Sequence, residues 1–147
     1  MGRRLGTADL VVLSDMEQAA SPDPWTPRQL QAVLDDPDIC VFGIEHAGCL
    51  VGHAVVARLP FDAELQAILV VEEARHHGVG SRLLARVIDQ ARTWQSERLL
   101  LEVRAGNAMA LSLYRRAGFG VDGRRQGYYS CGEGRREDAV LMSLPLA

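Results

Sequence analysis

A glycine-rich segment after an apolar run is the first place in this sequence where chemistry is expected. Residues 68–71 are apolar, and Arg75, Gly78 and Gly80 follow them at the start of a long amphipathic stretch. Glycines let a backbone approach a phosphate closely, and the free N–H groups and dipole of a helix N-terminus attract anions. The segment therefore predicts a phosphate site, although a plain strand-to-helix turn would have the same pattern.

Two common phosphate loops do not fit this segment. No Gly-Lys-Ser or Gly-Lys-Thr follows it, and the spacing Gly78-x-Gly80 lacks the third glycine of the dinucleotide fingerprint. The sequence therefore favours a different phosphate ligand.

The elements that must position this segment are short strands and helices in alternation. Together they predict an α/β (α+β) fold of order βααβββαβαββ, in which helices cover both faces of a mixed sheet. The apolar run at the end of the third long strand predicts burial on both faces. The predicted strands are residues 9–13, 39–45, 50–57, 64–71, 98–104, 121–130 and 138–144, and the predicted helices are 16–20, 27–34, 81–94 and 107–116.

Local signals fix several of these boundaries. Thr26 is a predicted N-cap with proline following it, Asn107 caps the last helix, and Gly118 suits a left-handed C-terminal position. Residues 98–104 alternate between apolar and polar, so that strand presents the carboxylate of Glu102 on its polar face.

Composition limits the class of protein. The 147 residues are 48% apolar and 24% charged, which suits one globular domain over residues 1–147. The longest apolar run, Ala67–Val71, is far too short for a membrane span, and no secretion signal is recognisable, so we expect a cytoplasmic protein. A net charge of −3 argues against nucleic-acid binding. Three widely spaced cysteines fit neither a disulfide framework nor a zinc site, and we expect no metal.

The glycine segment resembles the coenzyme A pyrophosphate loop of the GCN5-related N-acetyltransferases (GNAT). A second signature of that superfamily is similar to Leu101–Asn107 together with Tyr114 and Gly118-Phe119. The closing segments, Arg125-x-x-Tyr128-Tyr129 and residues 136–139, resemble the RimI-type branch, which acetylates the N-terminal alanine of ribosomal protein S18. The resemblance covers nearly all of the chain from about residue 25.

The resemblance implies a GNAT fold with about seven mostly antiparallel strands and about four helices. It also implies acetyl-CoA as cosubstrate. By this resemblance the cofactor-binding residues are Ile68, Leu69, Val70, Arg75, His76, His77, Gly78, Val79, Gly80, Ser81, Asn107 and Tyr114.

The same resemblance implies direct transfer, with Glu102 as general base and Tyr114 as general acid. Glu64 is the alternative base. An ion pair with Arg104 would explain Glu102 without catalysis, and a place in the core would explain Tyr114. The expected acceptor-binding residues are Trp25, Glu64, Tyr128 and Tyr129.

The expected partner is the N-terminal peptide of an S18-like ribosomal protein, with no nucleic acid and no membrane, and the chain is expected to be a monomer or weak dimer. Two alternatives stay open. One is an N-acetyltransferase of this fold that acts on a small amine or a lysine side chain, because the fold does not determine the acceptor. The other is a non-catalytic acyl-CoA binding module. The sequence departs from the usual family pattern at Glu72, at His76-His77 and at Gly106.

Overall fold

A seven-stranded sheet forms the centre of the computed structural model, which describes residues 2–146. Its strands are β1 (Gly2–Arg4), β2 (Ile39–His46), β3 (Cys49–Arg58), β4 (Ala63–Val70), β5 (Arg98–Arg104), β6 (Gly120–Ser130) and β7 (Arg136–Pro145), and its helices are α1 (Leu10–Ala20), α2 (Pro27–Asp35), α3 (Val79–Thr93) and α4 (Ala108–Arg116). The strands lie in the order β1-β2-β3-β4-β5-β7-β6, and only the β4–β5 pair is parallel. The predicted element order and the mixed, mostly antiparallel sheet are confirmed.

The first strand was predicted in the wrong place. Residues 9–13 open helix α1, and the first strand is instead the short β1, which pairs with β2. The run Leu-Val-Val-Leu suggests a strand, but only Leu13 of it is fully buried, while Val11 is 71% exposed. The buried positions of α1, Leu13, Met16 and Glu17, follow helical spacing, which decides between the two structures.

Helices cover both faces of the sheet, as predicted. On one face α3 and α4 enclose the larger core, to which α3 contributes Leu83, Leu84 and Val87. On the other face α1 and α2 enclose a smaller core around Leu13 and Leu30. Each such fully buried side chain stabilises the fold by roughly 1.5–3 kcal/mol relative to its exposure in water.

The predicted caps are present. The Thr26 hydroxyl accepts a hydrogen bond from the Gln29 N–H at 3.1 Å, and Asn107 Oδ1 accepts one from the Ala110 N–H at 3.1 Å. Gly118 has a φ of +104° just after α4. These caps fix where α2 and α4 begin, and they thereby fix the loops in front of both helices.

Strand β4 is irregular at its centre, and this irregularity shapes the site. Val55 pairs with Ala67 and Val56 pairs with Leu65, so Gln66 is an extra residue that forms a β-bulge. After the bulge the alternation is reversed, and Ile68 and Val70 face the larger core.

Strands β4 and β5 also separate. Their pairing joins Ala63 to Leu99 and Glu64 to Leu100, and within residues 2–146 it extends no further. The prediction that residues 64–71 are buried on both faces is therefore wrong: Gln66 is exposed and residues 67–71 are half-buried, because β5 does not cover this edge. We call the opening between the two strands the β4–β5 gap.

Candidate active site

An open groove of about 670 Å³ lies along the exposed end of β4. Its other walls are the start of α3, the outer face of α4, and Ala20–Pro22 at the end of α1. All but two of the predicted cofactor-binding residues line it, and the two that do not are His77 and Tyr114. The folded chain thus brings most of that set together in one place.

The glycine segment has the local geometry of an anion site. Gly78 is the N-cap of α3 with a φ of +78°, and a Cβ there would point into open space. The first helical hydrogen bond runs from the Arg82 N–H to the Gly78 carbonyl, so the N–H groups of residues 79–81 have no acceptor within the helix. These groups face the groove with the positive end of the helix dipole behind them.

Two arginines support this segment in different ways. Arg82 donates through Nε to the Gly78 carbonyl (3.4 Å) and through Nη2 to the His77 carbonyl (3.5 Å). Arg75 lines the groove, and its Nε donates to the Val70 carbonyl at 3.3 Å. Arg82 therefore braces the loop, whereas Arg75 presents its charge at the groove.

Tyr114 lies beneath the groove, in the larger core. Its side chain is 5% exposed, and its ring centroid lies 5.7 Å from that of Phe119. Burial raises the pKa of Tyr114 to about 12, since an apolar environment disfavours the phenolate. The phenol is therefore protonated throughout the neutral range.

Glu102 lies on the opposite face of β5. Its neighbours Leu101 and Val103 face the larger core, so the carboxylate points to the side that α1 and α2 cover. Its Oε1 lies 3.2 Å from Arg125 Nη2 of β6, and the side chain is 29% exposed.

The ion pair between Glu102 and Arg104 that was considered from the sequence is absent. Arg104 Nη1 instead lies 3.3 Å from Glu137 Oε1, and its guanidinium stacks 4.3 Å from the centroid of the Tyr129 ring. Strand β7 pairs with β5 and β6 follows on the far side of β7, so the sheet brings these distant residues together, which local sequence spacing does not reveal.

Glu102 and Tyr114 lie on opposite sides of the sheet, since the Tyr114 ring is in the larger core and Glu102 is on the other face of β5. No pairing with β5 closes this edge of β4 between residues 65 and 70, within the described chain. The gap thus links the groove to the face on which Glu102 lies. A molecule in the groove and a second one on that face can meet there.

The predicted acceptor-binding residues lie in different parts of the molecule. Glu64 lies between the core residues Ala63 and Leu65, so it shares the face of Glu102. Tyr128 is 48% exposed, and its ring meets that of Tyr129 edge-on at 5.0 Å.

Trp25 does not line the groove and packs against the smaller core. Ser21 and Pro22, which lie in the loop before Trp25 and line the groove, were not among the predicted cofactor-binding residues. Their only sequence signal was the loop composition of residues 21–24.

The comparison with known families decides the class of protein. The sequence model of the acetyltransferase (GNAT) family matches residues 10–119. The chain belongs to the GNAT family. The enzyme class predicted from the sequence, an N-acetyltransferase, is thereby confirmed, and the non-catalytic alternative is not favoured.

Relatives of this GNAT protein cover most of its length. It is 32% identical over 143 residues to the [ribosomal protein bS18]-alanine N-acetyltransferase of Escherichia coli K12, which covers 97% of this chain and 95% of the relative. It is 39% identical over 111 residues to the N-alpha-acetyltransferase RimI of Mycobacterium tuberculosis, which covers 73% of this chain and 68% of the relative. The crystal structure of the Escherichia coli S18-alanine enzyme superposes with a TM-score of 0.92 at 31% identity, over 100% of this chain and 94% of that one.

One departure of this GNAT chain from the family pattern has a structural reason. The Gly106 N–H donates to Glu137 Oε2 at 2.7 Å, and a Cβ at Gly106 would collide with that same oxygen. Glycine here lets β7 hold the loop that leads into Asn107 and α4.

Among residues 2–146 of this GNAT protein, no group of three or more side chains could hold a metal ion. Nor does any helix in that range have the length and apolar character needed to cross a membrane.

Proposed function

We propose that this enzyme transfers acetyl from acetyl-CoA to the N-terminal alanine of an S18-like ribosomal protein, directly within a ternary complex. The observation that carries the proposal is the β4–β5 gap, with Tyr114 beneath the groove on one side and Glu102 on the other. The Escherichia coli relative, a [ribosomal protein bS18]-alanine N-acetyltransferase, and a Bacillus subtilis relative with the same assignment support the acceptor.

The groove suits the elongated donor. In our proposal the N–H groups of residues 79–81 and the Arg75 guanidinium hold the diphosphate, and His76 lies beside them. The edge of β4 at residues 68–70 lies next to the thioester, where its N–H groups can polarise the carbonyl. Asn107 borders the pantetheine arm while it caps α4.

The two side chains at the gap have the proton chemistry that the reaction needs. A peptide α-amine has an ordinary pKa of about 8, so a carboxylate such as Glu102 is an adequate base near neutral pH. Tyr114, protonated because its pKa is about 12, donates its proton toward the departing sulfur. Glu64, on the same face, is the alternative base and can hold the positive charge of an incoming peptide.

The acceptor face offers aromatic rings to an extended peptide. Tyr128 is exposed there, with the Arg125 guanidinium 5.0 Å from its ring centroid, and Tyr129 lies below it. We propose that the first residues of the acceptor lie against these rings, and that Trp25 contributes through the loop it anchors. The S18 acceptor would place the enzyme in the cytoplasm, with ribosomes, as one domain over residues 1–147.

The test compares three acceptors at equal concentration: a peptide beginning with alanine, the same peptide with its N-terminus blocked and an internal lysine added, and a polyamine. We expect acetylation of the free alanine peptide only, read by mass spectrometry. Preference for the lysine peptide or the polyamine would show that the acceptor is wrong. Glu102→Gln and Glu64→Gln separate the two candidate bases, since only the base variant should lower kcat by roughly 10²-fold.

A further inference from the structure

A buried, hydrogen-bonded carboxylate–imidazole pair that the proposed chemistry does not use lies between α1 and β3. Glu17 Oε2 lies 2.7 Å from His53 Nε2, and the two side chains are 5% and 0% exposed. Burial alone raises the pKa of Glu17, but the hydrogen bonds from His53 and the Trp25 N–H outweigh it and hold that pKa below its ordinary value. The carboxylate is therefore charged at neutral pH.

Glu17 holds both ends of the loop at residues 21–25. Its carbonyl accepts the Ser21 N–H at 3.0 Å, and its Oε1 accepts the Trp25 N–H at 2.9 Å. Ser21 and Pro22, inside this loop, form one wall of the groove. The first bond is the last backbone bond of α1, so the Glu17 side chain holds the loop through its bond to Trp25.

The other member of the pair is tied to the opposite wall. His53 pairs with Leu69 of β4 in the β3–β4 ladder, and Leu69 lines the groove. The contacts from Ser21 through Glu17 and His53 to Leu69 therefore join two walls of the groove.

Stability alone is a weak explanation for this arrangement. Burial of a carboxylate and an imidazole carries a desolvation cost that their hydrogen bond offsets only in part, and well-packed apolar residues in the same place are often as stable or more so. A hydrogen bond between two buried side chains does, however, hold its partners at a defined distance and direction, which apolar packing specifies less strictly.

We propose that Glu17 and His53 are positioning residues for the acceptor. They hold the 21–25 loop against β4 and so set the opening through which the amine reaches the β4–β5 gap. The loop joins the two helices on the face to which Glu102 points, which is the acceptor's side. This inference rests on the proposed function for the site, though not on alanine being the acceptor.

The experiment compares Glu17→Ala with Glu17→Gln, which keeps an oxygen for the Trp25 N–H. Asp15→Ala, at an exposed carboxylate on the same helix, is the matched control. Amide hydrogen exchange at Trp25 reports the loop, calorimetry gives the Kd for acetyl-CoA, and steady-state kinetics give the acceptor KM. For Glu17→Ala we expect Trp25 exchange and the acceptor KM each to rise at least tenfold, with at most a threefold change in the Kd for acetyl-CoA, since Ser21 and Pro22 form one wall of the donor groove but residues 75–81 hold the diphosphate. Glu17→Gln and Asp15→Ala should stay within threefold in every measurement.

Two results overturn the proposal: a loosened loop with an unchanged acceptor KM, or a parallel loss of donor and acceptor binding that Glu17→Gln does not rescue. If Glu17→Ala does not fold, His53→Gln is measured in the same way, and an unchanged acceptor KM in that variant is equally decisive. If the wild-type enzyme acetylates a different amine, the proposed acceptor fails, while the same comparison with that amine still decides the role of the pair.

Discussion

Replacement of Tyr114 by phenylalanine removes one oxygen from the larger core and isolates its chemical role. The ring keeps its contact with Phe119, and the hydroxyl is the only group lost. Because the pKa of Tyr114 is about 12, the hydroxyl is protonated in more than about 99.9% of molecules at pH 8. Wild type therefore has a donor at the gap at any ordinary pH, and the variant has none.

The expected loss lies at the low end of the range for general acids. Proton transfer by a positioned side chain contributes roughly 10²- to 10⁴-fold to rate. An ordinary thiol has a pKa of about 8.5, so complete transfer from a phenol of pKa about 12 is uphill, and the proton is shared in the transition state. We expect kcat to fall about 10²-fold in Tyr114→Phe, or about 2.7 kcal/mol in the activation barrier.

The assay follows CoA release with a thiol reagent at saturating acetyl-CoA and alanine peptide. Ser112→Ala is the matched control, since it removes a hydroxyl from the exposed side of the same helix and should alter kcat less than threefold. The acetyl-CoA Kd should be the same in all three proteins. A folded Tyr114→Phe enzyme with a kcat within threefold of wild type would refute the general-acid role.

Three further predictions concern other parts of the molecule. The pKa of Tyr114 is about 12 in the folded protein and about 10 in the unfolded chain. As pH rises from 10 to 12, the free energy of unfolding of wild type, measured in urea, should therefore fall by up to about 3 kcal/mol relative to that of Tyr114→Phe. No relative fall would contradict the burial of the phenol. Arg75→Ala should raise the calorimetric Kd for acetyl-CoA about tenfold and weaken its salt dependence, while Arg28→Ala, on the exposed side of α2, should change neither. Glu137→Ala should lower the free energy of unfolding by about 0.5–1.5 kcal/mol in urea titrations, because an exposed backbone N–H before α4 loses its protein acceptor; an equal loss in the exposed Glu133→Ala would show the effect to be nonspecific.

The sequence determined the elements that have a strong local signal. The stripe of α3 and the caps at Thr26 and Asn107 depend on neighbours within a few residues, and all are present. Strand β1 was missed because three residues are too few to show a pattern, and its pairing with β2 is a contact across some 40 residues. Residues 9–13 were misassigned because a short apolar run fits a strand and a helix alike until its burial is known.

In the candidate site, too, the residues with a local signal could be predicted, and the contacts that depend on strand order could not. The glycine segment is a local motif, so its residues could be named in advance, and the groove brings most of them together. The partners of Glu102 and Arg104 come from β6 and β7, whose position in the sheet next to and beyond β5 follows from topology alone. His53 lies in a predicted strand and showed no sign of a special role. Its partner Glu17 is 36 positions away, in a helix whose first residues were predicted to form a strand.

The division of the sheet at the β4–β5 gap explains why the proposed base and the proposed acid belong to different faces. If Glu102 and Tyr114 shared one face of an intact sheet, their carboxylate and phenol could bond to each other, and donor and acceptor would have to compete for the same surface. Here β5 separates them: Tyr114 lies in an apolar core that keeps it protonated, and Glu102 lies at a half-open surface, 3.2 Å from Arg125. The bulge at Gln66 and the early end of the β4–β5 ladder leave the opening through which the two environments meet. A change that extended the β4–β5 pairing should therefore abolish transfer while it leaves both side chains, and the fold around them, in place.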